Sequence, residues 1–227
     1  AGAAAHTFRR CALAEGRPAV TAVAPLVDVT IAVHSASRPI RRAVASVLDG
    51  TEAPVRVIVV AHNIDPAVIR DNLGELATDD RVLVLDLQDG IRSPAGPMNA
   101  GFANSPAPFI ALLGSDDEFA PGALDSWLRV QRSTGASTVI PKIAIIGRHN
   151  NPLPPLRDGR RSRRLDAAKD RLAYRSAPLG LIDRDRFGHL RFSEGLHSGE
   201  DIAFTAELWF RGRNLAVDID GPAYVGH

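Results

Sequence analysis

The chain of 227 residues is 45% hydrophobic and 23% charged, with a formal net charge of +1. That size fits one large α/β domain, and the balanced charge excludes a global field that selects nucleic acid or a membrane surface. Cys11 is the only cysteine, which excludes an intrachain disulfide, a cysteine-cluster zinc site and CxxC redox chemistry.

Residues 1–26 are rich in alanine, contain no secretory h-region and are expected to form an N-terminal extension. Abundant Ala and Arg with almost no Lys point to a GC-rich bacterial genome. No apolar run reaches the roughly 18–20 residues that span a bilayer, and a reducing, cytoplasmic setting fits the cysteine usage.

From Val27 the pattern alternates. VDVTIAV (27–33) predicts a strand, followed by the loop His34-Ser35-Ala36-Ser37 and a helix from Pro39 to Leu48, with proline in its first turn. VRVIVVAH (55–62) predicts a second strand, and Asp65-Pro66 opens a helix to about Leu76. RVLVLDL (81–87), a short helix over 96–104 and PFIALLG (108–114) complete this half. Near-continuous apolar runs separated by helices predict a mostly parallel, Rossmann-like sheet covered on both faces. Beyond it come a helix over 121–134, a strand over 137–147, a proline-rich loop, helices near 165–174 and 199–211, and one or two short terminal strands.

Two acidic clusters stand out. Asp116 and Asp117 follow the fourth strand, at the carboxyl end where open α/β sheets bind ligands. Adjacent carboxylates repel unless a cation or hydrogen-bond donors compensate. Either they hold Mg²⁺ or Mn²⁺ with substrate phosphates, or with Glu118 they cap the helix that starts near Pro121 or form a solvated loop. The pair Asp79-Asp80, by contrast, precedes a strand and reads as a surface turn. Gly199-Glu200-Asp201 precedes an apolar helix, so Ser198 or Asp201 is equally readable as an N-cap.

Taken together, TIAVHSASRPIRRAVASVL, VRVIVVAHN, GPMNAGFANSPAPFIALLGSDDEFAPGAL, SGEDIAF and the terminal YVGH resemble the motif order of family 2 glycosyltransferases with the GT-A fold, over roughly residues 27–227. The resemblance implies an α/β GT-A fold with a nucleotide-sugar-binding half (27–118) and an acceptor-binding half (119–227). It implies transfer of a sugar from a nucleotide-sugar donor to a glycan, lipid-linked or small-molecule hydroxyl acceptor, with inversion and with Mn²⁺ or Mg²⁺. Asp117 would ligate the cation, with Asp116 facing the ribose or metal and His227 as a further ligand. Asp201 would be the general base and Glu200 would position it or the acceptor. Val33, His34, Ser35, Arg38, His62, Asn63, Arg92, Asn99, Gly101 and Ser115 would shape the donor site with Asp116.

Two departures bear on the donor. Ala61-His62-Asn63 stand where the family commonly has an Asp-Asp-Gly-Ser type sequence, so Asn63 or backbone groups would meet the base. Gly114 stands where an additional Asp often begins the metal motif. The arginines at 157, 160, 161, 163 and 164 read as a solvated loop or as a flap over an anionic substrate. Without interleaved aromatics they do not predict nucleic-acid binding. Peripheral association with the inner face of a membrane is compatible with this reading. Two alternatives remain open: a catalytically silent GT-A domain used for sugar binding or assembly, and a sugar-phosphate nucleotidyltransferase.

Overall fold

The computed structural model describes residues 23–148, 162–174, 177–196 and 198–227. Strand β1 (Val27–Val33) lies at the centre. It is followed by α1 (Ile40–Leu48), β2 (Val55–His62), α2 (Pro66–Leu73), β3 (Val82–Leu87), α3 (Ala95–Ala103) and β4 (Phe109–Gly114). Then come β5 (Glu118–Phe119), α4 (Ala123–Thr134), β6 (Thr138–Pro141), β7 (Ile143–Ile145), β8 (Leu181–Asp183), α5 (Arg184–Phe187), α6 (Ile202–Arg211), β9 (Ala216–Asp218) and β10 (Tyr224–Gly226).

Seven strands form one sheet in the order β3-β2-β1-β4-β8-β6-β9. Strand β8 is antiparallel to both β4 and β6, while the other pairings are parallel. Two reversals cancel, so β6 and β9 run in the same direction as β4. Every strand except β8 therefore ends at one edge. The register aligns that edge closely, pairing Val33 with Ala61, His62 with Leu87 and Ala32 with Gly114.

The β1 sequence shows how the faces are filled. Val27, Val29, Ile31 and Val33 point to one side and are fully buried against α1, α2 and α4. Helix α1 answers with Ile40, Ala43, Val44, Val47 and Leu48, the spacing of one helical face. The alternate residues Asp28 and Thr30 are buried on the opposite side. There Thr30 meets α3 at Gly101, where an added Cβ would overlap the threonine side chain. A second apolar cluster fills this face, with Phe102 from α3, Ile110 from β4 and Phe204 and Trp209 from α6.

Asp28 is fully buried and is held by a two-pronged pairing with Arg56, Nε to Oδ1 at 2.9 Å and Nη2 to Oδ2 at 3.0 Å. The Ala107 amide adds a third donor at 2.9 Å, and Arg56 also reaches the Asn104 carbonyl at 3.2 Å. This pairing ties β1 and β2 to the α3–β4 loop, at the edge opposite the strand carboxyl ends.

A smaller sheet, β5-β10-β7, stands beside the large one. Strand β10 runs antiparallel to β5 (Tyr224 opposite Phe119) and parallel to β7 (Tyr224 opposite Ile143). The expected strand over 137–147 is thus two strands in two sheets, broken at Lys142. The helix expected near 165–174 is also absent. Asp166 Oδ1 accepts from the Ala168 and Lys169 amides, and Asp170 Oδ2 accepts from the Asp166 amide, so side chains replace the helical ladder. Arg171 then takes a positive φ of 55° before a single 3-10 turn, Leu172–Tyr174. Among the described residues no helix is long and apolar enough to cross a membrane. The expected 1–26 extension lies almost wholly outside the described residues, and so do the arginines at 157, 160 and 161.

Removing one partner of a buried ion pair leaves an uncompensated charge, a loss of about 3–5 kcal/mol. Asp28→Ala is therefore expected to lower the unfolding free energy by about 3 kcal/mol or more, read from urea unfolding. A loss below about 1 kcal/mol, the range of an exposed pair, would contradict this account of the sheet edge.

Candidate functional site

At the carboxyl edge of β1, β2 and β4 lies a cleft of about 850 Å³. It is lined by Val33, His34, His62, Asn63, Arg92, Ser115 and Asp116 among others, so seven of the sequence-selected donor residues share one cavity. His34 and Arg92 are exposed and make no hydrogen bond or ion pair among the described residues. Ser93, Pro94, Pro97 and Met98 at the start of α3 form another wall. Pro97 and Met98 fall within the GPMNAGFAN stretch, but neither was selected as a site residue, because a helix start lining a cavity has no side-chain signature.

The far wall is built by a polar knot. Asn63 has a positive φ of 55°, a conformation asparagine tolerates better than most residues. Its amide oxygen accepts from the Asp89 and Gly90 amides at 3.1 and 2.9 Å, and its Nδ2 donates to Asp89 Oδ1 and the Ile91 carbonyl, both at 3.1 Å. His62 Nε2 also meets Asp89 Oδ1, at 2.9 Å. Asn63 thus lines the cleft with its amide already occupied by the 89–91 turn. Burial pushes the Asp89 carboxyl upward, but the Ile91 amide, His62 and Asn63 outweigh it and hold the group below the ordinary aspartate range. Asp89 gave no sequence signal beyond its Asp-Gly turn.

The acidic run follows β4 directly, and neither carboxylate of the pair caps a helix. The N-cap of α4 is Gly122, in a left-handed conformation without a side-chain cap bond. Each acid has its own partners instead. Asp116 forms an ion pair with Arg38, and its carbonyl accepts from Arg42 Nη2 at 2.6 Å. Glu118 sits between Arg42 Nε at 2.7 Å and His227 Nε2 at 2.9 Å. Asp117 accepts the Tyr224 hydroxyl at 2.5 Å and the His227 backbone amide at 3.1 Å.

Tyr224 is almost fully buried, and its hydroxyl oxygen in turn accepts from the Gly114 amide at 3.0 Å. Burial raises the phenol well above the ordinary tyrosine value, and the adjacent Asp117 carboxylate raises it further. Gly114 is a glycine for a visible reason: an added Cβ would overlap Asp117 Oδ2 and approach the Tyr224 hydroxyl at 3.3 Å. A larger residue at 114 would have to displace the Asp117 carboxylate from this position.

A divalent cation fits part of this corner. Asp116 and Asp117 offer hard oxygen ligands, and Mg²⁺ or Mn²⁺ is commonly held by one or two carboxylates with substrate phosphates supplying the rest. The His227 ring is turned to Glu118, and only its backbone touches Asp117. Among the described residues no group of three His, Cys, Asp or Glu is arranged as a ready-made cage.

Four selected residues lie off the cleft wall. Ser35 builds the turn into α1, with its Oγ 2.9 Å from Ser37 Oγ, and Arg38 acts through Asp116. Gly101 packs on Thr30, and Asn99 turns toward residues 192–194. Glu200 and Asp201 likewise stand outside the cleft lining. Asp201 occupies the N-cap position of α6 without making a side-chain cap bond, which removes its capping reading. Burial raises its carboxyl above the usual value; a backbone hydrogen bond opposes this, and the neighbouring Glu200 charge adds to it.

Comparison with known proteins places this geometry. The family model "Glycosyl transferase family 2" matches residues 28–190. The succinoglycan biosynthesis protein ExoO of Rhizobium meliloti (strain 1021) is 26% identical over 234 aligned positions, covering 92% of this chain and 62% of ExoO. ExoU of the same strain, also a succinoglycan biosynthesis protein, is 29% identical over 213 positions, covering 87% of this chain and 61% of ExoU. The chain thus spans about three fifths of the length of these relatives. Among solved structures, S. aureus TarS 1-349 superposes with a TM-score of 0.75 at 16% identity, covering 88% of this chain and 60% of that one. The same TarS fragment in complex with UDP-GlcNAc gives a TM-score of 0.73. These superpositions identify the fold as GT-A.

A tyrosine whose folded pKa is raised contributes stability that is fully present below its unfolded pKa, about 10. That contribution is lost as pH rises above this value, toward the folded pKa. Wild-type stability is therefore expected to fall above about pH 10, and Tyr224→Phe should flatten the fall while costing about 1 kcal/mol at neutral pH. Urea midpoints measured across this range check both. Identical pH dependence in the two proteins would contradict the buried phenol–carboxylate contact.

Proposed function

This chain belongs to glycosyl transferase family 2, and we propose that it moves a sugar from a nucleoside-diphosphate donor to an acceptor hydroxyl, with inversion at the sugar carbon. The observation that carries the reading is the cleft at the carboxyl ends of β1, β2 and β4, with an acidic run at its rim and unpaired His34 and Arg92 on its wall. A nucleoside diphosphate suits that combination. It is anionic, it is large enough to use such a volume, and Arg forks pair well with phosphate. The likeness to TarS, solved with UDP-GlcNAc, supports the class of donor. Relatives named for succinoglycan biosynthesis support a glycan or lipid-linked glycan acceptor over a small metabolite.

In this reading the bond between the sugar carbon and the donor phosphate oxygen breaks as the acceptor oxygen bonds to that carbon. Asp201 takes the acceptor proton, and the nucleoside diphosphate leaves. The raised Asp201 carboxyl suits a base, because a basicity shifted toward the working pH strengthens proton acceptance. Glu200 supports it by charge. One carboxylate on the face opposite the leaving group is sufficient for inversion. Asp117 and Asp116 are the residues that would hold a divalent cation, whose chemistry is to neutralise charge on the departing phosphates. Arg38 and Arg42 hold the acidic run in place beside it.

A thermal-shift panel of UDP-, GDP-, dTDP- and CDP-sugars, with and without Mn²⁺, tests donor recognition, since a ligand that binds the native state stabilises it. One nucleotide class should raise the midpoint; no shift with any of them would contradict the reading. For the base, Asp201→Asn is expected to reduce transfer by about 100-fold or more. The wild-type kcat should fall on acidification through a pKa above the ordinary aspartate value of about 3.9, because only the ionised base works. Normal turnover by Asp201→Asn, or a profile flat to about pH 4, would remove the assignment.

A further inference from the structure

The segment that carries Glu200 and Asp201 has no helix or strand between Leu190 and Asp201 among the described residues. Among the described residues its own backbone supplies two bonds: the Ser193 amide donates to the Glu200 carbonyl at 3.0 Å, and the Ile202 amide to the Gly199 carbonyl at 3.1 Å. Segments with few internal hydrogen bonds open easily unless something outside them holds them.

That hold comes from α3. Pro97 and Met98 face the proposed donor cleft, and the next residue, Asn99, turns about 100° further round the helix, as the 3.6-residue repeat dictates. Asn99 Oδ1 accepts the Phe192 amide at 2.7 Å, while its Nδ2 donates to the Phe192 carbonyl at 3.1 Å and to Glu194 Oε1 at 2.9 Å. The side-chain amide thus pairs with both backbone groups of one residue, as a neighbouring strand would. The Phe192 ring then lies flat on Phe204 of α6, centroids 4.2 Å apart at an interplanar angle of 8°. Phe102 of α3 meets both rings edge-on, at 6.1 and 5.2 Å. Helix α3 therefore grips the acidic loop near its beginning through Asn99 and just beyond its end through Phe102.

We propose that Asn99 is a positioning residue: its pairing with Phe192 couples the helix that walls the donor cleft to the loop that presents Glu200 and Asp201. Its side-chain amide is committed to residues 192–194, off the lining of the donor cleft. The positioning role rests on the reading of Asp201 as the general base. Asparagine suits this pairing because its tip carries both the acceptor and the donor that the two backbone groups of one residue need. Aspartate keeps the acceptor, loses the donor and sets a second carboxylate against Glu194.

Amide hydrogen exchange, together with nucleoside-diphosphate release from UDP-, GDP-, dTDP- and CDP-glucose, tests this on the full chain. In Asn99→Asp and in Asn99→Ala, exchange over 190–196 and 198–201 should rise by about ten-fold or more, with β1, β2 and β4 unchanged. The kcat should fall by about 100-fold, with the donor KM held within about two-fold, because displacement of the base affects the chemical step and not donor binding. Wild-type exchange in the acidic loop of both variants would overturn the proposal. So would a rise spread evenly along the chain, or a donor KM that worsens with kcat unchanged. The base assignment separates cleanly: Asp201→Asn should lose turnover while its loop exchanges as wild type. If Asp201→Asn turns over normally and the Asn99 variants still free the loop, the base reading fails and the coupling stands.

Discussion

Three consecutive carboxylates follow β4, and the surrounding structure is arranged by their need for compensation. Like charges at this spacing repel, and each must find a cation or a donor. Asp116 takes Arg38, Glu118 takes Arg42 and His227, and Asp117 takes the Tyr224 hydroxyl with the His227 amide. The partners come from two places far apart in sequence, the start of α1 and the end of β10. Strand β10 can reach the acids only because it pairs with β5, whose two residues directly follow Asp117. The small sheet thus exists at the point where the charge must be managed.

The same corner encloses Gly114. With Tyr224 bridging the Gly114 amide and Asp117, the space above residue 114 is filled by the Asp117 carboxylate. Across the cleft, Ala61-His62-Asn63 carry no acid, and the carboxylate at that wall comes from the loop after β3 as Asp89, held by His62 and Asn63. Both walls are built from groups that satisfy one another, and His34 and Arg92 stand exposed on the same cleft. The frame behind them is the shared register of β1, β2 and β4, stapled at the opposite edge by Asp28 and Arg56.

The parallel half was legible because its signals are local: β-branched runs, Asp65-Pro66 at a helix start, apolar spacing in α1. The acidic clusters were legible as well, since their position at a strand end and before a helix is written in the chain. Of their partners, only His227 was marked, through the terminal YVGH; the Tyr224 hydroxyl and the pairings with Arg38 and Arg42 were not. Tyr224 lies 107 residues beyond Asp117, and no periodicity announces such a pairing. Asn99 and Gly101 were recognised by motif, but the motif does not say which way a helix faces; the fold turns one to the Phe192 loop and the other onto Thr30. In the second half, short strands joined across sheets and side-chain-stabilised turns near Asp166 and Asp170 carry little propensity. That is why β8 and α5 went unanticipated and a helix was expected where turns stand.

In the proposed function, the corner pinned by β10 is where a divalent cation and a nucleoside diphosphate meet. Electron paramagnetic resonance of Mn²⁺, titrated with the protein in the presence and absence of UDP and the other three nucleoside diphosphates, measures this without any acceptor. The account predicts that one nucleotide greatly increases the bound Mn²⁺ signal in the wild type and that Asp117→Asn abolishes the increase. Equal nucleotide-dependent Mn²⁺ binding by wild type and Asp117→Asn would contradict it.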